Sequence, residues 1–169
     1  MDKTRELIVI VLLSSIITVS KMFLSFLPNI ELVSMFLIVY TLVFRKKAII
    51  IALLFILIEG LIYGIGLWWF SYAFVWPLLV ILTLLFIRIN KENFLLWSIF
   101  SGVFGLIFGA LFALPYIILN DISFAVAYWI RGIPYDIIHM VGNYVAMMLL
   151  GEHIYKLLIK LNKEDCKSY

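Results

Sequence analysis

Ionisable side chains cluster in one stretch of an otherwise apolar chain, YWIRGIPYDIIHMVGN at residues 128–143. Pro134 predicts a helix start, because its φ is already helical and its missing N–H would have no partner there. A helix from Pro134 places Asp136, His139 and Asn143 at i, i+3 and i+7, on one face. Insertion of an ionisable side chain into hydrocarbon costs about 2.5–3.5 kcal/mol. This face should therefore look into a protein cavity and not at lipid. We interpret it as one wall of a binding site.

A second carboxylate, Glu59, lies near the middle of an earlier apolar segment, and Trp and Tyr residues recur at the segment ends on the same predicted side. Carboxylates beside aromatic rings suit a cationic or heteroaromatic ligand, whereas Arg131 suits a carboxylate or phosphate. Interface anchoring of the aromatics and polar contacts between helices are the competing explanations. The predicted ligand-binding residues are Asn29, Glu31, Glu59, Tyr63, Trp68, Trp69, Tyr72, Tyr128, Trp129, Arg131, Tyr135, Asp136, His139 and Asn143.

The composition places these residues in a membrane. Hydrophobic residues make up 66% of the 169 residues, charged residues 14%, and the mean hydropathy is +1.17. These values predict an integral membrane protein with one domain. The net charge of +3 reflects basic residues at segment ends, so we expect no nucleic-acid partner. The single cysteine, Cys166, excludes an internal disulfide and a cysteine metal cluster, and we predict neither a metal site nor a bound cofactor.

Apolar segments separated by polar breaks predict an all-α domain of six transmembrane helices. The predicted spans are 7–27, 30–44, 48–70, 72–87, 94–119 and 134–150, followed by a cytoplasmic tail over 152–169. The second span is short, so it is either enclosed by its neighbours or shorter than the membrane. Residues 120 and 121 begin an apolar connection of about a dozen residues. Small residues at 101, 105, 109 and 113 predict a helix-packing face without chemistry.

The basic residues predict that both termini are cytoplasmic. Six spans place Lys3, Arg5, Arg45, Lys46, Lys47, Arg88, Lys91, Lys156, Lys160, Lys163 and Lys167 in the cytoplasm, and only Lys21 and Arg131 elsewhere. The predicted ligand-binding residues then gather on the outer side.

Three segments stand out along the chain: the turn LPNIELVSMFLIVYTLVF closed by RKK, the segment GLIYGIGLWW, and the last-helix pattern IPYDIIHMVGN. Together they resemble the substrate-binding S component of an energy-coupling factor (ECF) transporter. The resemblance extends over nearly the whole chain and implies a subunit for uptake of a vitamin or vitamin precursor across a bacterial cell membrane. The family's outer binding site maps onto Asn29 and Glu31, residues 68–72, and residues 128–143.

The resemblance also implies partners. The S component works with a transmembrane coupling subunit and two ATPases, and delivers its ligand by toppling within the membrane. The family's first helix usually presents alanines to the coupling subunit, and here Ser14 and Thr18 stand in that role. The sequence has no Walker motif, so ATP would be hydrolysed by the partner ATPases and the chain itself is not expected to be an enzyme.

Two other classes of protein stay open. An intramembrane enzyme could use Glu59, Asp136 and His139 for metal-dependent or acid/base chemistry, although no HExxH or GxSxG pattern is present. A small channel or a structural membrane subunit is the third possibility. Metal-dependent turnover would favour the enzyme, and saturable binding without turnover would favour the transport subunit.

Overall fold

The computed structural model describes residues 3–90 and 93–167, with the backbone alone for residues 163–167. Lys91 and the side chains of Lys163, Cys166 and Lys167 lie outside the described part. Within it the chain is helical and has no strand. The helices are α1 (Lys3–Phe23), α2 (Val33–Phe44), α3 (Ala48–Tyr63), α4 (Leu67–Phe86), α5 (Phe94–Leu119), α6 (Ile122–Ala146) and α7 (Glu152–Lys167). A tight turn over Arg45–Lys47 joins α2 to α3, and a wide helical turn over Met147–Gly151 joins α6 to α7.

Four helical stretches of the described chain are long and apolar enough to cross a membrane. They are α1, α4, α5 and the continuous stretch Ile122–Asn162. These helices indicate a membrane protein. By contrast, α2 and α3 have 12 and 16 residues. At 1.5 Å per residue they span about 18 and 24 Å, less than the ~30 Å of a hydrocarbon core. The count of six spans and the cytoplasmic termini remain predictions.

Helix α2 forms the centre of the bundle. Nine of its twelve residues are buried, and it contacts α1, α3, α4, α5 and α6. The short second segment is therefore enclosed by its neighbours, which was one of the two expected explanations of its length. Apolar side chains of the outer helices instead point outwards, as Leu61 in α3 and Ile118 in α5 do. This distribution suits a bundle surrounded by lipid.

A glycine corner separates α3 from α4. One predicted span covered residues 48–70, but α3 ends at Tyr63 and α4 begins at Leu67. Gly64 between them has φ 82° and ψ 158°, a backbone conformation that residues with a Cβ rarely adopt. The predicted boundary at residue 72 is therefore wrong, and Trp68 and Trp69 belong to α4.

Replacement of Gly64 by alanine is expected to lower the free energy of unfolding by about 1–3 kcal/mol. An added Cβ would meet nothing within 4 Å, so the loss comes from backbone strain. Gly142→Ala is the matched control, since its Cβ would make an ordinary 3.6 Å contact with Ile30 Cγ1. Thermal melting followed by circular dichroism compares the two variants. Equal melting temperatures would contradict the strained corner.

Helix α6 begins earlier than Pro134. Asp121 caps its start, and the side chain accepts a 2.7 Å hydrogen bond from the Phe124 N–H. The predicted connection after residue 121 is therefore wrong, because a good N-cap precedes apolar residues that favour a helix in a membrane protein. Pro134 lies within α6, as prolines do in other membrane helices. Asp136, His139 and Asn143 still share one buried face, as their spacing predicts.

Candidate ligand-binding site

A cavity of about 750 Å³ lies between α4, α5, α6 and the turn before α2. This volume falls within the range of small-molecule sites. Half of the lining residues are aromatic, and only three others have polar side chains. The lining residues are Asn29, Tyr72, Phe108, Gly109, Phe112, Phe124, Ala127, Tyr128, Arg131, Gly132, Tyr135 and Asp136.

Asp136 is the most buried ionisable group on this wall, with 3% of its surface exposed. Its Oδ1 accepts a 3.0 Å hydrogen bond from the Gly109 N–H. Its Oδ2 is buried and has no hydrogen-bond partner among the described residues. Leaving such an oxygen unpaired costs free energy, about 1–3 kcal/mol or more for a charged group. A ligand that donates a hydrogen bond or carries positive charge would recover that cost.

Gly109 positions this carboxylate. A Cβ built on Gly109 would lie 2.8 Å from Asp136 Cγ, and one built on Gly105 would lie 2.8 Å from the His139 carbonyl oxygen. The small residues at 105 and 109 therefore allow close packing of α5 on α6, as predicted. We predicted that this stripe serves packing alone. The N–H of Gly109 also donates a hydrogen bond to Asp136, so the stripe helps to hold a polar group of the cavity wall.

Gly109→Ala is expected to destabilise the fold by about 1–3 kcal/mol, because the added methyl group overlaps the Asp136 carboxylate. The matched control is Gly132→Ala in α6, where a Cβ would meet nothing within 4 Å. Alanine there is expected to leave the melting temperature unchanged or to raise it slightly, because alanine favours a helix. A Gly109→Ala protein that melts with the wild type would contradict the close packing at this position.

Two further predicted residues, Glu31 and His139, lie behind the cavity wall, and Asn143 lies one helical turn beyond His139 on α6. His139 Nε2 lies 3.3 Å from Glu31 Oε1, and neither ring nitrogen of His139 has a hydrogen-bond partner among the described residues. The Phe108 ring contacts the His139 ring edge-on at a centroid distance of 4.8 Å. Asn143 Nδ2 donates a 3.1 Å hydrogen bond to Ser34 Oγ. These contacts attach α6 to α2 and to the turn that carries Asn29.

A smaller cavity of about 250 Å³ adjoins the large one and is lined by Lys21, Tyr63, Trp68, Tyr72 and Phe112. Tyr72 and Phe112 line both cavities. Lys21 in α1 forms an ion pair with Glu59 in α3, and Glu59 is fully buried. The Lys21 ammonium also lies 5.2 Å from the ring centroid of Tyr63 and 5.3 Å from that of Tyr72, within the range of cation–π contacts.

Comparison with family models, curated proteins and solved structures finds no match. The geometry of the chain itself therefore carries the assignment of a site.

The structure brings ten of the fourteen predicted ligand-binding residues to these cavities or behind the wall of the large one. Asn29, Tyr72, Tyr128, Arg131, Tyr135 and Asp136 line the large cavity, and Tyr63, Trp68 and Tyr72 line the small one. Glu31 and His139 lie behind the large cavity. The other four are Asn143, Glu59, Trp69 and Trp129. Asn143 bonds to Ser34, and Glu59 reaches the small cavity only through Lys21.

Trp69 and Trp129 have other surroundings. The Trp69 indole N–H donates a 2.9 Å hydrogen bond to the Ile56 carbonyl oxygen, and its ring fills the space above Gly60. Trp69 therefore joins α4 to α3. Trp129 lines a separate apolar groove of about 200 Å³ between α5 and α6. Successive residues of a helix point about 100° apart, so Trp129 leaves the face that Tyr128 shares with the cavity.

The two predicted partner contacts do not lie on the outer surface. Ser14 and Thr18 are buried, with 0% and 3% of their surfaces exposed. The Ser14 hydroxyl donates to the Ile10 carbonyl oxygen at 2.8 Å and lies 3.1 Å from the Ile51 carbonyl oxygen of α3. Small polar residues allow α1 and α3 to approach closely, so this face of α1 is used within the chain. The prediction of Ser14 and Thr18 as partner contacts is therefore wrong.

Several wall residues were missing from the predicted set. Phe108 and Phe112 lie on α5, four residues apart, and both face the large cavity. This spacing, next to the glycine stripe, was the available signal. Lys21 was predicted only to lie outside the cytoplasm and was not among the predicted ligand-binding residues. Its partner Glu59 lies 38 residues away in the sequence, so spacing alone could not pair them.

Proposed function

We propose that this chain is the substrate-binding subunit of an ECF-type uptake transporter. The observation that carries the proposal is Asp136 Oδ2, a buried oxygen without a partner among the described residues, on the wall of an aromatic cavity of about 750 Å³. Aromatic walls with a few fixed polar groups are typical of sites for small organic ligands. The segments that resemble the S components include Asn29 and, in α6, the wall residues Tyr135 and Asp136.

The ligand of this proposal is a small water-soluble vitamin or vitamin precursor. Tyr72, Tyr128 and Tyr135 offer ring faces and edges, and Asp136 offers a hydrogen-bond acceptor with negative charge. A heteroaromatic ring with a donor or a cationic group matches both. The ligand would enter from outside the cell.

The partners follow from the same resemblance. A transmembrane coupling subunit and two ATPases would supply the energy, and toppling of the chain in the bacterial cell membrane would deliver the ligand. The chain itself would bind the ligand and hydrolyse no ATP. Surrounding lipid would cover the exposed apolar side chains of the outer helices.

Ligand-induced stabilisation tests the proposal. The detergent-purified full chain is melted in the presence of each member of a panel of water-soluble vitamins and their precursors. A ligand at one hundred times its Kd stabilises the folded state by about 2.7 kcal/mol. We expect a saturable rise in melting temperature with one member or a few related ones. The absence of any shift across the panel would contradict the proposal.

The alternative of an intramembrane enzyme has less geometric support. Its three candidate groups have separate partners, since Glu59 pairs with Lys21, Asp136 bonds to Gly109, and His139 lies beside Glu31. Among the described residues no three His, Cys, Asp or Glu side chains are grouped to hold a metal ion. Chemical turnover of a bound panel member would favour the enzyme over the transport subunit.

A further inference from the structure

The small cavity contains one charged lining group, the ammonium of Lys21. We propose that this ammonium binds an anionic group, a carboxylate or a phosphate, of the same ligand whose ring occupies the large cavity. The inference rests on the proposed function and defines the ligand class as amphoteric, with a heteroaromatic or cationic part and an anionic arm.

The Lys21 ammonium is accessible to a ligand. Its side chain is 24% exposed, whereas Glu59 is fully buried and does not line the cavity. The ammonium therefore stands between the carboxylate and the open space, and the nearest charge that a ligand meets is positive. An ammonium has three donors, and one of them donates to Glu59 Oε2. The remaining donors suit an anionic oxygen.

Glu59 acts as a positioning residue in this arrangement. The ion pair holds the Lys21 side chain against α3, and the ammonium also lies within cation–π distance of the Tyr63 and Tyr72 rings. Such a fixed ammonium loses less side-chain entropy when a ligand binds than a free surface lysine does.

The two cavities share two wall residues. Tyr72 and Phe112 line both, so a ring packed against Tyr72 and Phe112 in the large cavity would lie close to the cavity that contains Lys21. Asp136 and Lys21 have opposite charges, and they would select a ligand that carries both signs. The small cavity of about 250 Å³ has room for a carboxylate or phosphate group.

Matched probe pairs test this assignment. Pyridoxamine and tryptamine carry a heteroaromatic ring and an amine, and pyridoxamine 5′-phosphate and tryptophan add one anionic group to each. Their affinities for the detergent-purified full chain are measured by isothermal titration calorimetry. In parallel, any small molecule that the purified chain retains from cells grown in rich medium is released and identified by mass spectrometry.

Two variants test whether Lys21 causes the preference for an anionic ligand. Lys21→Met combined with Glu59→Met removes the ion pair without leaving one buried charge alone. Lys21→Arg retains the positive charge. We expect the wild type to prefer the anionic member of a pair, or to retain a molecule with an anionic group. We expect the double variant to lose at least tenfold in affinity for that molecule, and Lys21→Arg to keep most of it.

The opposing outcomes distinguish the two proposals. A bound or retained molecule without an anionic group, or an anionic one that the double variant binds unchanged, overturns this inference and leaves the proposed function intact. Loss of the anionic preference in Arg131→Gln, with the preference kept in the double variant, also overturns it. A wild-type chain that retains nothing and binds neither these probes nor any member of the vitamin panel overturns both.

Discussion

Lys21→Met is expected to lower the free energy of unfolding by about 3 kcal/mol, because it leaves the carboxylate of Glu59 buried without its partner. Glu59 has no exposed surface, and its second oxygen, Oε1, already lacks a hydrogen-bond partner among the described residues. For a chain of this length the loss corresponds to a fall in melting temperature of about 6 °C or more. Circular dichroism melting in detergent measures it.

An exposed ion pair provides the matched control. Lys156 and Glu152 in α7 are 2.7 Å apart, and their side chains are 71% and 46% exposed. The same substitution, Lys156→Met, is expected to change stability by less than about 1 kcal/mol, because water and salt screen exposed pairs. Adding Glu59→Met to Lys21→Met is expected to recover most of the lost stability. Equal melting of the Lys21→Met and Lys156→Met proteins would contradict a buried pair.

Asp136→Asn is expected to weaken ligand binding at least tenfold while the fold is retained. Asparagine has the volume of aspartate and keeps an acceptor for the Gly109 N–H. It removes the negative charge of a carboxylate on the cavity wall, and a charged hydrogen bond is worth about 1.5–3 kcal/mol. Titration calorimetry with the ligand found in the vitamin panel gives the affinity.

Asp121→Asn is the control for this experiment, since it makes the same substitution in the same segment. Asp121 caps α6 through the Phe124 N–H and does not line the large cavity, and asparagine caps helices as well as aspartate does. Unchanged ligand affinity is expected for it. If Asp136→Asn also bound the ligand like the wild type, the site would lie elsewhere.

Spacing within one helix predicted correctly which polar residues of α6 share a face. Asp136, His139 and Asn143 share a buried face because a helix repeats every 3.6 residues, wherever that helix begins. The start of α6 was wrong by about a dozen residues because Pro134 has two permitted roles, at a helix start or inside a membrane helix. Only the neighbouring helices decide between them.

Contacts between distant segments were beyond the sequence. The pairing of Lys21 with Glu59 depends on how α1 packs on α3. The sequence also does not show which face of α1 is buried. Apolar residues occur all around this helix, and lipid and the protein interior favour the same residue types. Ser14 and Thr18 were therefore assigned to the wrong surface. The glycine corner at Gly64 had a visible signal in the pair of glycines at 64 and 66.

Native mass spectrometry of the detergent-purified chain, expressed in rich medium, shows whether the protein retains a ligand. We expect a stoichiometric adduct with the mass of a small vitamin-like molecule, present in the wild type and reduced in Asp136→Asn. A spectrum of the free chain alone, which stays free across the vitamin panel and is accompanied by no thermal shift, would contradict it.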